Sequence, residues 1–147
     1  MMSLAQAAQV LNGRLVPAAG GASDVTFTAV STDSRAISAG DLFIALRGDN
    51  FDGGKFVAAA ARDGAVAALV NADGFQDDAP PCPVLLVDDT RLALGRLAAH
   101  WRAQFALLLV ALTGSNGKTT VKEMLASILR DAVGDADAVL ATQGNFN

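Results

Sequence analysis

Residues 107–129 read LLLVALTGSNGKTTVKEMLASIL, and this stretch decides the fold class. It opens on an apolar run over 107–112 with no polar alternation, the pattern of a strand buried on both faces of a parallel sheet. The chain then turns through Thr113-Gly114-Ser115-Asn116-Gly117 and enters a segment of helical period. Val121, Met124, Leu125, Ile128 and Ala132 recur at steps of three and four, leaving Lys122, Glu123 and Arg130 for the opposite face. A strand, a glycine turn and a helix opening on Lys-Thr together predict a phosphate-binding loop.

The residue types suit that chemistry. A triphosphate needs several donors at once, and backbone N–H groups are small enough to surround it. Gly114 and Gly117 let the main chain curl toward the anion with no Cβ in the way. The helix that follows points its unpaired amides and positive dipole end at the phosphates. Lys118 is expected to reach the β- and γ-phosphates, and the Thr119 hydroxyl to ligate Mg²⁺. The strict pattern G-x-x-x-x-G-K followed by Ser or Thr would place glycine at position 112, where Leu112 stands, so the loop is a T-G-x-x-G-K-T variant. The competing explanation is a strand–loop–helix corner with incidental glycines.

Upstream, strands and helices alternate. Ser3 and Gln6 stand at capping-box spacing for a helix over 3–12 that Gly13 stops, with Leu4, Ala7, Ala8 and Leu11 on one face. Residues 25–32 read as a strand ending in the polar cluster Ser31-Thr32-Asp33-Ser34-Arg35. A short apolar strand over 42–46 is followed by a loop over 47–54 and an alanine-rich helix over 55–63, closed by Gly64. Strands are predicted over 66–70 and 84–87, separated by a surface loop over 71–83 with three prolines. Asp88-Asp89-Thr90 offers an N-cap for a helix to about Phe105, with Leu94, Leu97, Ala98 and Trp101 as its buried stripe. His100, the only histidine, lies beside that stripe without companion ligands and reads as a surface residue. Downstream of the loop helix, residues 138–142 are predicted to form one more strand, leading into Gln143-Gly144-Asn145-Phe146-Asn147.

The class is therefore α/β. A small N-terminal α/β domain over 1–88 is followed by 89–147, the first β-P-loop-α-β unit of a parallel-sheet ATP-binding domain. That second unit looks truncated, because two strands are few for a sheet that needs helices on both faces. A truncated sheet is expected either to stay mobile or to self-associate.

Composition narrows the function classes. The 147 residues are 52% hydrophobic, enough for a sizeable core, and the net charge of −4 argues against a general nucleic-acid or anionic-membrane binder. Cys82 is the only cysteine, which excludes an intrachain disulfide and fits a reducing compartment. The first fifteen residues lack the basic region of a signal peptide, and no apolar run approaches the about 18 residues of a membrane span. A cytoplasmic location is expected.

The loop TGSNGKTT with its helix VKEMLASIL closely resembles that of the Mur ligases, the ATP-dependent amide ligases of peptidoglycan synthesis. STDSR, AGDLFIALRGDNFDGGKF and VDDTRLALGRLAAHWR resemble the N-terminal part of the same family in order and spacing, and ATQGNFN resembles the loop after its second central strand. Within the family the combination is most similar to the branch that adds D-Ala-D-Ala to UDP-N-acetylmuramoyl-tripeptide. The resemblance implies ATP and Mg²⁺ as cofactors, with Gly114, Ser115, Asn116, Gly117, Lys118, Thr119 and Thr120 at the nucleotide and Lys118 as the catalytic cation. It implies contacts from Thr32, Ser34, Asp49, Asn50 and Phe51 to the UDP substrate, and from Asn145 and Asn147 to substrate. It also implies a monomeric parent whose second metal site, carboxylated lysine and C-terminal domain lie beyond Asn147, so that this chain alone would not catalyse ligation.

On the residues alone, Asp33, Ser34 and Arg35 also read as a self-capped turn, Asp52-Gly53-Gly54 as a simple turn, and Asn145 and Asn147 as polar loop residues. Two other functions compete. One is the related ligase that adds the third residue; the other is a nucleotide- or UDP-sugar-binding module without chemistry. A switch ATPase or GTPase would want an acid at the end of the 138–142 strand, where Thr-Gln-Gly stands.

Overall fold

The structure, a computed structural model, describes residues 2–21, 23–48 and 51–142. Two compact units divide it, Met1–Ala106 and Leu107–Asn147.

The first unit is built on a five-stranded sheet. Its strands are β2 (Arg14–Val16), β4 (Ala29–Ser31), β5 (Asp41–Ile44), β8 (Ala67–Asn71) and β9 (Val84–Val87), in the order β2-β9-β8-β5-β4. The four strands from β9 to β4 run parallel and β2 closes one edge antiparallel. Two short pairs lie outside it: β1 (Met2–Ser3) with β3 (Thr26–Phe27), and the hairpin of β6 (Arg47–Gly48) and β7 (Phe51–Asp52).

Burial follows the period-two alternation of strands. Leu42 and Ile44, Ala67 and Leu69, Leu85 and Val87 face one side, where they meet Leu4, Ala7 and Leu11 of α1 (Leu4–Leu11) and Ala93 and Leu97 of α3 (Thr90–Arg102). Phe43 and Ala45, Ala68 and Val70, Val84 and Leu86 face the other, where they meet Val57 and Ala60 of α2 (Val57–Arg62). With both faces covered, the central strands read as continuous apolar runs.

Local chemistry sets the helix ends. Ser3 and Gln6 form the predicted capping box on α1, with Gln6 N donating to Ser3 Oγ (3.2 Å) and Ser3 N to Gln6 Oε1 (3.0 Å). Asp89 caps α3, accepting from the amides of Arg91 (2.8 Å) and Leu92 (2.9 Å).

Several expectations are corrected. The strand over 25–32 is two strands, β3 and β4, in different sheets, because the Thr28 amide turns aside to the Gly40 carbonyl (3.0 Å). The helix over 55–63 begins as a 3-10 turn (Gly53–Phe56) and becomes α-helical only at Val57. In α3 the buried stripe is Thr90, Ala93 and Leu97, with Leu94 and Trp101 packed beside it; Ala98 is exposed, so the helix is rotated from its expected face. Through its packing on the first sheet, α3 lies within the first compact unit, Met1–Ala106.

The second unit holds α4 (Lys118–Val133) and a 3-10 turn (Ala136–Ala138). No strand forms over 107–112 or 138–142 among the described residues. Leu108, Leu109 and Val110 are exposed, and so are Val121, Met124 and Ile128 on the predicted core face of α4. An apolar strand is held by neighbours that pair its backbone and cover its faces; here no neighbouring strand is present among the described residues.

Cys82 lies in the α2-side core, and burial pushes its thiol up to about 11. The folded chain is expected to react with a neutral disulfide reagent far more slowly than the urea-unfolded chain, as read by thiol release. A raised folded value means that the thiol favours folding below about 9, the ordinary value, and that this contribution is lost as pH rises toward about 11.

Candidate functional sites

In the second unit the glycine turn ends in the left-handed conformation at Gly117 (φ 76°), which is the N-cap of α4. Among the described residues no side chain accepts from the first-turn amides, and the Gly117 carbonyl already takes the Val121 amide (3.0 Å). A Cβ at Gly117 would meet nothing within 4 Å, so the backbone angle rather than space calls for glycine there. The helix therefore begins with amides unclaimed by side chains, together with its positive dipole end, at one turn of backbone. Lys118 is half-buried and its Nζ donates to the Gly114 carbonyl across the loop. Ser115, Asn116, Thr119 and Thr120 are exposed beside it. A chain segment of this shape can hold a polyanion through main-chain donors and one ammonium group.

In the first unit, β4, β5 and β8 are parallel neighbours, so the loops leaving their carboxyl ends share one rim of the sheet. The turn after β4 carries Thr32, exposed, and Ser34, half-buried. Ser31 Oγ donates to the Asp33 carbonyl (3.1 Å) and accepts from the Asp33 amide (3.3 Å). Asp33 accepts from Arg35 Nε (2.9 Å), Nη2 (2.8 Å) and the Arg35 amide (3.0 Å). The self-capped turn and surface ion pair read from the sequence are thus present. The guanidinium bonds, then the amide bond, hold the Asp33 carboxyl at about 2.

That depression sets a pH dependence. A lowered folded value contributes stability above 3.8, and the contribution is lost as pH falls toward about 2. Asp33 is expected to titrate near 2 by carboxyl NMR in the wild type, and in the 3.8–2 window Asp33→Asn should show a shallower acid loss of stability.

The loop after β5 forms the β6–β7 hairpin. Phe51 is 55% exposed and stacks on Phe56 (centroids 5.8 Å apart, planes at 16°), presenting an aromatic face at the rim. Asp49 and Asn50 lie outside the described residues, as do Asn145 and Asn147. Asp52 caps the following 3-10 turn through the Gly54 amide (2.9 Å).

A cleft of about 330 Å³ opens at the carboxyl ends of β5 and β8, between the hairpin and the 71–81 loop. Arg47 spans it, its Nη1 donating to both the carbonyl and a carboxylate oxygen of Asp73 (3.2 Å each). Lys55, Asn71 and Phe75 also line it. No local signal in the sequence marks this cleft, because the Arg47–Asp73 pair joins residues far apart along the chain, brought together by parallel pairing of β5 and β8.

Comparison with known proteins relates both units to one family. Residues 26–102 match the family model described as Mur ligase family, catalytic domain, and residues 112–147 match the Mur ligase middle domain. The UDP-N-acetylmuramoyl-tripeptide–D-alanyl-D-alanine ligase of Haemophilus influenzae is 42% identical over 99% of this chain and 30% of its own length. Among solved structures, MurF from Acinetobacter baumannii superposes with a TM-score of 0.74 at 39% identity, covering 88% of this chain and 28% of that one. A MurF ligase from Thermotoga maritima, solved in complex with ADP, superposes at 0.59 with 33% identity, covering 69% and 23%. The chain thus spans under a third of the length of the relatives it matches.

Proposed function

The chain belongs to the Mur ligase family, and from that premise we propose that it is part of an ATP-dependent ligase that joins D-Ala-D-Ala to UDP-N-acetylmuramoyl-tripeptide. The first unit is the UDP-substrate domain and the second begins the ATP domain. The observation that carries this reading is the glycine-capped start of α4, with its first-turn amides unclaimed by side chains and Lys118 folded over the loop. The similarity of 99% of the chain to UDP-N-acetylmuramoyl-tripeptide–D-alanyl-D-alanine ligases supports the choice of substrate.

In the proposed reaction a terminal carboxylate oxygen of the tripeptide attacks the γ-phosphorus of ATP. The bond to the bridging oxygen breaks and ADP leaves with its electron pair. The amine of D-Ala-D-Ala then attacks the acyl phosphate carbon, gives up a proton, and phosphate departs. Within this chain, the amides of Gly114, Ser115, Asn116, Gly117 and the first turn of α4 bind and orient the phosphates. Lys118 balances charge building on the transferred group, and Thr120 extends the donor set.

Among the described residues no cluster of three His, Cys, Asp or Glu stands ready for a metal ion. A magnesium ion shared with a triphosphate needs few protein ligands, and the exposed Thr119 hydroxyl at the second helical position fits that need. When bound there, Mg²⁺ would neutralise phosphate charge.

Thr32, Ser34, Asp49, Asn50 and Phe51 are the proposed UDP-substrate contacts, with Asn145 and Asn147 as further substrate contacts. Calorimetric titration of the chain with UDP-N-acetylmuramoyl-tripeptide, and separately with Mg·ATP, tests both halves. Ser34→Ala is expected to weaken the first by about tenfold, the worth of one hydrogen bond to a charged group, and to leave the second unchanged. Tighter binding of the UDP-linked dipeptide would instead favour the ligase that adds the third residue. No binding of either UDP substrate would leave a nucleotide-binding module. The proposed location is the cytoplasm; among the described residues no helix is long and apolar enough to cross a membrane.

A further inference from the structure

The face of α4 opposite its exposed apolar residues is the one that is covered. Lys118, Lys122, Leu125, Ala126, Leu129 and Arg130 follow one another at helical spacing and are all half-buried or buried. What binds along that face is the chain returning from the 3-10 turn. Near the helix C-terminus, Arg130 Nη2 donates to the Val139 carbonyl (3.4 Å). Near the N-terminus, Lys122 Nζ donates to the Thr142 carbonyl. The returning segment therefore runs antiparallel to α4, from its last turns to its second, and brings the Thr142 backbone to the phosphate-loop end. Lys122 lies four residues, about 6 Å along the axis, from Lys118 on the same face.

Lys122 is well placed to act as a tether. Only 21% of its side chain is exposed, and Glu123 Oε1 at 2.9 Å balances its charge. An ammonium so held can grip a main-chain carbonyl without competing for a triphosphate one turn away. The segment it retains runs along the helix toward the turn that carries Lys118; solvent displaced from that turn would strengthen the attraction of Lys118 for phosphate.

We propose that Lys122 is a positioning residue of the nucleotide site: it fastens the Thr142 carbonyl to the second turn of α4 and so keeps the 139–142 segment over the face that bears Lys118. The role rests on the nucleotide-binding reading of the loop. The 147-residue chain is titrated with Mg·ATP as wild type, Lys122→Met, Lys122→Arg and Glu123→Gln, and amide exchange is followed over 139–142. Methionine keeps the apolar stem and loses the donor, so about tenfold weaker binding and faster exchange at 140–142 are expected. Arginine can still reach the carbonyl, and Glu123→Gln leaves the carbonyl bond in place. Both should stay within about twofold of wild type, since neither removes the charge-assisted bond.

Unchanged affinity in Lys122→Met overturns the role, even if exchange rises. A loss in Glu123→Gln as large as that in Lys122→Met assigns the effect to the ion pair and overturns the tether. Should Lys122→Met lose helix content by circular dichroism, Lys122→Arg decides: retained affinity supports the tether and a tenfold loss overturns it. A wild-type chain that fails to bind Mg·ATP overturns the nucleotide reading itself, and this role with it, and is thereby distinguished from a failure confined to Lys122.

Discussion

Lys118→Ala is expected to weaken Mg·ATP binding about 100-fold, or about 2.7 kcal/mol, toward the upper end for a hydrogen bond to a charged group. Two losses combine. The ammonium is the one cation of the first helical turn, Lys118-Thr119-Thr120-Val121, so its removal leaves the phosphates with neutral donors from the protein. The same group bridges to the Gly114 carbonyl, so the loop also loses the contact that closes it. Titration with the UDP-linked tripeptide should be unaffected, because its proposed contacts in the first unit, Thr32, Ser34 and Phe51, lie on other elements. Equal loss of both ligands would mean that the substitution unfolds the chain, and unchanged ATP binding would remove the loop from the nucleotide site.

The second large effect belongs to Gly53, where the chain doubles back after the hairpin. Its amide donates to the Leu46 carbonyl (2.9 Å), and the residue is buried. A Cβ there would stand 2.7 Å from the Leu46 carbonyl oxygen and 2.8 Å from both the Cα and the carbonyl carbon of Ala45. These are backbone atoms at the end of a central strand and cannot swing away as a side chain could. Gly53→Ala is therefore expected to cost about 3 kcal/mol, the upper part of the overpacking range, lowering the urea midpoint by about 1.5 M at a slope of about 2 kcal/mol/M. Trp101, the only tryptophan, packs in the same unit, and its fluorescence reports the transition. Gly20→Ala, where a Cβ meets nothing within 4 Å, is the matched control and should leave the midpoint in place. Because Gly53 anchors the strand that carries Phe51, the same variant should weaken binding of the UDP substrate.

Both effects show where sequence and tertiary structure divide the work. Wherever a signal is local, it was legible in the residues. The capping box of Ser3 and Gln6, the Asp89 cap and the glycine turn before Lys118 each involve groups within a few positions of one another, and each formed as read. The parallel α/β class was equally legible, because strands covered on both faces must be apolar throughout, as 42–44, 67–70 and 84–87 are. The resemblance of the motifs named the family that the comparisons then matched.

Longer-range features were decided only by packing. Thr28 breaks one expected strand into two because its amide finds the Gly40 carbonyl, a partner outside any local window. The face that α3 buries depends on how it settles on the sheet, so Ala93 replaced Ala98 in the core. The Arg47–Asp73 bridge and the cleft beneath it exist because β5 and β8 lie side by side. The sharpest case is the stretch over residues 107–129. Its turn and helix formed as the glycines, Lys118 and the helical period dictate, since those requirements are met within the segment. Its apolar residues 107–112 did not become a strand among the described residues, since a strand is completed by hydrogen bonds and surfaces that other strands supply. By itself the sequence determined the α/β class, the helix caps and the glycine turn before α4, all set by near neighbours; tertiary structure decided which apolar faces found a partner.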